Sequence, residues 1–189
     1  MTDLWKRFEN WLKANAKHLH GELNPGATAE ELELLSSEIH QALPEDFRAF
    51  YSIHNGQSDN WQSPHLHNHG KLLSTRRMLG EWKAMKQLLD DGAFPYPSYP
   101  DQAIQNKWWN EGWLPFCADD SGNFQCIDFS PTPFGRPGQI IYFESQSPER
   151  GVEAGSFREW VTTYIEGLEA GHYQWSEDWH GIVHKNDIW

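Results

Sequence analysis

The sequence predicts an α+β domain in which an antiparallel sheet is covered by helices. Three observations carry this reading. Apolar residues recur at helical spacing through most of residues 3–89 and again over 156–171. Short β-rich runs between 113 and 143 are separated by tight-turn residues. The connections between those runs are too short for parallel crossovers, so neighbouring strands should be antiparallel. With 189 residues, one packed core and a single domain suffice.

Residues 3–20 place Leu4, Trp5, Phe8, Trp11, Leu12, Ala16 and Leu19 on one helical stripe, and Asn24-Pro25-Gly26 ends that unit. Thr28 and Glu31 have the spacing of a capping box, followed by Leu32, Leu35 and Ile39 as the inward face of a second helix. Pro44 opens a third helix, and Asn55-Gly56 supplies residues that easily adopt left-handed geometry. Residues 57–70 are polar and turn-rich before a short strand at Lys71-Leu72-Leu73. Ser74 or Thr75 caps the next helix, with Met78, Trp82, Met85 and Leu89 on one face. Residues 91–107 read as a long loop, and loops of that length are often partner-facing.

Trp113–Asp119 and Phe124–Phe129 form a hairpin about Asp120-Ser-Gly-Asn123, a register that sets Asp119 opposite Phe124 and Cys117 opposite Cys126. Gln139–Phe143 supplies a third strand. Ser156 and Glu159 form a second capping box for a helix with Trp160, Val161, Tyr164, Ile165 and Leu168 inward and Gly171 at its end. Residues 172–189 carry Trp175, Trp179 and Trp189, so this tail should dock on the domain.

Several of these segments together resemble the SUKH superfamily, which includes the yeast Smi/Knr regulators of cell-wall synthesis and many bacterial relatives. The carriers are LPEDFRAFYSIHNG at 43–56, KLLSTRRMLGEWKAMKQLL at 71–89, WLPFCADDSGNFQCIDFSP at 113–131, GRPGQIIYFE at 135–144 and SFREWVTTYIEGLEAG at 156–171. The resemblance divides the domain into an N-terminal helical part (1–42), a SUKH-like core (43–171) and the Trp-rich tail (172–189). It implies a binding rather than a catalytic role. For the bacterial members that role is immunity, in which the protein covers the working cleft of a cognate toxin, often a nuclease. For the fungal members it is regulation through protein interaction, in cell-wall or stress signalling.

Charge fits either role. Residues 1–94 hold 10 basic and 13 acidic residues (−3), whereas residues 95–189 hold 5 and 14 (−9). A field of that sign repels nucleic acid and anionic lipid and speeds encounter with a basic protein. No stretch is apolar enough to span a membrane, and the N-terminus lacks a signal peptide's apolar block, so a cytoplasmic chain is expected. Two cysteines are too few for a disulfide framework and are expected as free thiols.

The candidate partner-binding residues are Trp61, Trp108 and Trp109, aromatics in turn-rich or polar surroundings, with the acidic Asp119, Asp120 and Asp128 of the hairpin. The same three aspartates could be read as general acid–base pairs, but turn chemistry explains residues of this kind at such corners. His65, His67 and His69 alternate as if to share a strand face, yet the outer two would lie about 13 Å apart and no spacing supplies a third zinc ligand. A metal-dependent hydrolase using this loop is therefore the weakest of the three functional readings. No cofactor, metal site or catalytic residue is expected, and phosphate-loop, dinucleotide, zincin and nucleophile-elbow motifs do not occur in the sequence.

Overall fold

A computed structural model of the chain describes residues 1–189 apart from Trp61, His69, Asp120, Ile188 and Trp189. Helix α1 (Thr2–Asn15) buries Leu4, Trp5, Phe8 and Leu12 and runs on into a 3-10 segment, Lys17–Glu22. Helix α2 (Ala29–Glu38) begins with the complete capping box, Thr28 Oγ1 accepting from the Glu31 N–H and Glu31 Oε2 from the Thr28 N–H. Helix α3 spans Glu45–Tyr51, β1 Lys71–Leu72 and α4 Thr75–Asp90, the last capped by Ser74. Then follow β2 (Tyr99–Pro100), β3 (Trp113–Ala118), β4 (Phe124–Asp128), β5 (Gln139–Phe143) and β6 (Glu149–Ala154). Helix α5 (Phe157–Glu169) and a hairpin of β7 (Tyr173–Ser176) and β8 (Gly181–His184) complete the order. At α5 the cap is half a box: Ser156 Oγ accepts from the Glu159 N–H, while Glu159 bonds the N–H of Gly155.

The main sheet runs β1-β3-β4-β5-β6-β2. Its first five strands are antiparallel neighbours, as the short connections require, but β2 joins β6 in parallel, so the sheet is mixed. The β3–β4 register also differs from the one expected. A bulge between Pro115 and Cys117 pairs Ala118 with Phe124, Cys117 with Gln125 and Pro115 with Cys126.

Both edges of this sheet are two-residue strands, and each is blunted by a different device. At β1, Gln57 substitutes for a further strand: its N–H donates to the Leu72 carbonyl and its Oε1 accepts from the Leu72 N–H, both at 2.9 Å. At β2, the Tyr99 and Asp101 N–H groups donate inward to Pro148 and Arg150. The residue between them, whose N–H would point outward, is Pro100 and has none.

Helix α5 lies on β5 and β6 with α1 and α3 against it, and α4 packs on β3 with α2 against α4. The core holds two aromatic clusters. Phe47, Phe50 and Tyr51 of α3 meet Phe116, Phe157 and Trp160. Trp109 meets Trp113, Phe124 and Phe143 edge-on at 5.1–6.2 Å between ring centres. The β7–β8 hairpin is tied to the histidine segment: the His65 N–H donates to His180, Ile182 donates back to His65, and the His184 N–H bonds Asn68 Oδ1. No helix among the described residues is long and apolar enough to cross a membrane.

Candidate functional site

The hairpin aspartates separate into two roles. Asp119 holds the β3–β4 turn together: Oδ1 accepts from the N–H groups of Ser121 and Asn123 at 2.8 and 2.9 Å, and Oδ2 from Asn123 Nδ2 at 2.7 Å. It stays half-buried and lines a cleft of about 400 Å³ between β1, the start of α4 and residues 57–60. Asp128, by contrast, is fully buried, so its expected role as a partner contact is corrected. Its carboxylate accepts from the Ser130 N–H and Gln139 Nε2, and burial pushes its pKa up from the usual carboxylate value. Asp120 lies outside the described residues.

The cleft that Asp119 borders carries both signs of charge: Lys71 and Arg77 beside Asp59 and Glu81. Asp59 is engaged there, accepting from Ser74 Oγ at 3.1 Å and from Arg76 at 2.9 Å, and Arg77 pairs with Glu81 at 2.7 Å. Exposed pairs of this kind contribute about 0–1 kcal/mol each, so a partner's polar groups could replace them at small cost.

Of the tryptophans, Trp109 is fully buried in the second core cluster, and the expectation of an exposed anchor is corrected there. Its surroundings in sequence are polar, but the 98–112 segment folds over the sheet and drives the ring inward. Trp108 is half-buried and keeps a surface position beside Tyr96, with ring centres 6.2 Å apart. Tyr96 and Tyr99 are 68% and 70% exposed, and Phe134 is 79% exposed, so this flank of the molecule is rich in accessible aromatic surface. Trp61 lies outside the described residues.

Arg150, which sequence reasoning missed, fixes the flank from below. It is buried, its guanidinium sits 5.2 Å from the Trp108 ring centre and 4.3 Å from that of Phe143, and it donates to the carbonyls of Ser147, Glu149 and Trp108. Burial pulls its pKa down to about 10. A single arginine in Pro-Glu-Arg-Gly reads as turn surface, and no spacing marks it as an anchor.

The described histidines of the 65–69 segment are occupied in packing and backbone pairing. His67 is buried, with its ring 4.6 Å from Trp160 and 4.4 Å from Tyr164, and His65 takes part in the bridge to β8; His69 lies outside the described residues. Among the described residues no group of three or more His, Cys, Asp or Glu side chains could hold a metal. Cys117 and Cys126 are buried thiols outside any disulfide, whose pKa values burial pushes well up, the opposite of an activated nucleophile. The described ones among the sequence-named residues therefore do not form one site: Asp119 borders the cleft, Trp108 the aromatic flank, and Trp109 and Asp128 the interior.

Comparison with known proteins gives a match over residues 26–163 to the family described as SMI1/KNR4 (SUKH-1). The cell wall biosynthesis/cell cycle regulator smi1 of Schizosaccharomyces pombe is 27% identical over 191 residues, covering 94% of this chain and 38% of that protein. The glucan synthesis regulatory protein of Neurospora crassa is 26% identical over 209 residues, covering 92% and 39%. The cell wall assembly regulator SMI1 of Saccharomyces cerevisiae is 23% identical over 209 residues, covering 92% and 41%. The chain thus spans about two-fifths of the length of these curated relatives.

Proposed function

The chain belongs to the SMI1/KNR4 family (SUKH-1), and from that premise we propose that it is a cytoplasmic, non-catalytic module that regulates cell-wall assembly and glucan synthesis by binding other proteins. The observation that carries this reading is the extent of the likeness: 92–94% of the chain aligns with proteins named as regulators. The geometry supports it. Of the carboxylates that could have served acid–base chemistry, Asp119 holds a turn and Asp128 is buried at a strand end, and the thiols are buried. What the surface offers is an aromatic flank of Tyr96, Tyr99 and Trp108 and a cleft of mixed charge bordered by Asp119. Aromatic anchors with a charged rim are the composition of a recognition surface. Names of this kind favour the regulatory reading over that of an immunity protein covering a toxin's cleft.

A domain exchange tests it. The aligned segment of the Saccharomyces cerevisiae cell wall assembly regulator is replaced by this chain, and cell-wall glucan content is measured in cells lacking the native regulator. Recovery of glucan content is expected. A hybrid that accumulates and folds but leaves glucan content at the deletion level overturns the proposal.

A further inference from the structure

A groove of about 540 Å³ lies where the ends of α1 and α5 meet β7, far in sequence from the flank and the cleft. Three amphipathic rings line it, Trp11, Tyr173 and Trp175, together with the polar residues Asn15, Glu169, Gln174 and Lys185. Each ring is half-buried and held by its neighbours. The indole N–H of Trp11 donates to the Leu168 carbonyl at 3.0 Å. Tyr173 packs edge-on against Tyr164 and His184, with ring centres 5.1 and 5.0 Å apart. Trp175 donates to Glu177 at 2.8 Å and stands edge-on to His18 at 4.4 Å. Tyr173 and Trp175 are two residues apart on one strand, so they project to the same side about 7 Å from each other.

The rim carries little net field. Glu169 is held in a two-pronged bond by Arg7, at 3.0 and 2.6 Å, which neutralises it. Lys185 is exposed at the rim, and Asn15 donates its amide N–H to the Trp11 carbonyl, leaving its Oδ1 to accept. A strong anion or cation would find no matching cluster here. A ligand with flat C–H faces for the rings and many hydroxyls for amide, ammonium and helix-end carbonyl groups would match both halves of the lining.

We propose that this groove binds a neutral hexose oligosaccharide, with Trp175 and Tyr173 stacking on successive sugar units and Asn15 and Lys185 pairing with their hydroxyls. The assignment stands on the groove's chemistry. Only the choice of a β-1,3-linked glucose chain as the first probe rests on the proposed role in glucan synthesis.

The test is calorimetric titration of the whole chain with laminarihexaose, maltohexaose and isomaltohexaose, each up to about 10 mM, a range that covers the weak affinities small ligands reach. At least one should bind, and the one that does identifies the linkage. Trp175→Ala should weaken binding about tenfold or more, the effect of removing one aromatic anchor. Lys185→Ala, at an exposed position where folding is not at risk, should weaken it several-fold. Trp179→Ala, exposed on the same hairpin but outside the groove, should leave it unchanged. No binding of any of the three sugars overturns the proposal, as does binding that survives both groove variants. Binding of an extended peptide at the groove in place of sugar also overturns it. A chain that restores glucan content in the domain exchange yet binds no sugar overturns this assignment alone.

Discussion

Glu9 of α1 and His54, three residues past α3, meet at 3.0 Å, and the other ring nitrogen of His54 lies 2.8 Å from the Asn24 carbonyl. Trp5 stands edge-on to the same ring at 4.7 Å, while Lys13 and His20 face Glu9 from the other side. The contact therefore ties the N-terminal helix to the segment that leads into β1.

This pair predicts a pH dependence. The hydrogen bond from His54, followed by the effect of Lys13, holds the Glu9 carboxyl below its ordinary range. A depressed folded value contributes stability that is present above the unfolded value of about 4.3 and is lost as pH falls through the folded one. In His54→Ala, a carbon-13 titration should show the Glu9 carboxyl returning toward the ordinary range. Urea unfolding at pH 6 should show a loss of about 1–2 kcal/mol, and the difference between the two proteins should shrink at pH 3. An unchanged Glu9 titration would remove His54 as the cause.

Gly56 predicts a steep steric cost. It has φ +65°, and a β-carbon there would sit 2.3 Å from the backbone oxygen of Leu73. Backbone cannot step aside as a flexible side chain can, so Gly56→Ala should lose about 3 kcal/mol or more in urea unfolding, combining left-handed strain with a displaced β1. A loss under about 1 kcal/mol would show that the segment before β1 tolerates a different path.

The sheet edges give a third prediction. Gln57 is buried and satisfies the Leu72 N–H and carbonyl, while its Nε2 donates to Pro64 at 2.7 Å. Gln57→Ala leaves the Leu72 N–H and the Pro64 carbonyl without these partners, so about 2–3 kcal/mol should be lost. The uncovered edge should also raise self-association in sedimentation velocity. A variant that is destabilised but strictly monomeric would confine the role of Gln57 to hydrogen bonding.

The parts of this fold that were legible in the sequence are those whose signal is local. Thr28 and Glu31, Ser74 and Ser156 start helices because a short polar side chain satisfies a helix-end N–H, and that chemistry reads directly from spacing. The inward stripe of α5 is legible for the same reason. Strands β6 and β2 were not. In Glu149–Ala154 the buried positions are Arg150 and Ala154, so no apolar alternation exists to be read, and β2 is two residues long with a proline. Asp119 was legible as a turn residue, whereas Trp109 and Asp128 could not be told from surface residues. Their burial is imposed by the 98–112 segment and by Gln139, which are distant in the chain. The bulge that shifted the β3–β4 register likewise depends on packing around Pro115 and Phe116.

The aromatic flank supplies the last prediction. Tyr99 and Phe134 are among the most exposed large side chains of the described residues, so replacing either with alanine should change stability by no more than about 0.5 kcal/mol. If the flank is where a regulatory partner docks, Tyr99→Ala with Phe134→Ala should nevertheless lower glucan content in the domain-exchange strain, because an aromatic anchor that is idle in folding acts in binding. Arg150→Met supplies the contrast. It removes the group that holds Trp108 from beneath, so it should speed hydrogen exchange over residues 106–110 and lower glucan content indirectly. Full glucan content in the double alanine strain would clear the flank of that role and leave the Asp119 cleft as the docking surface.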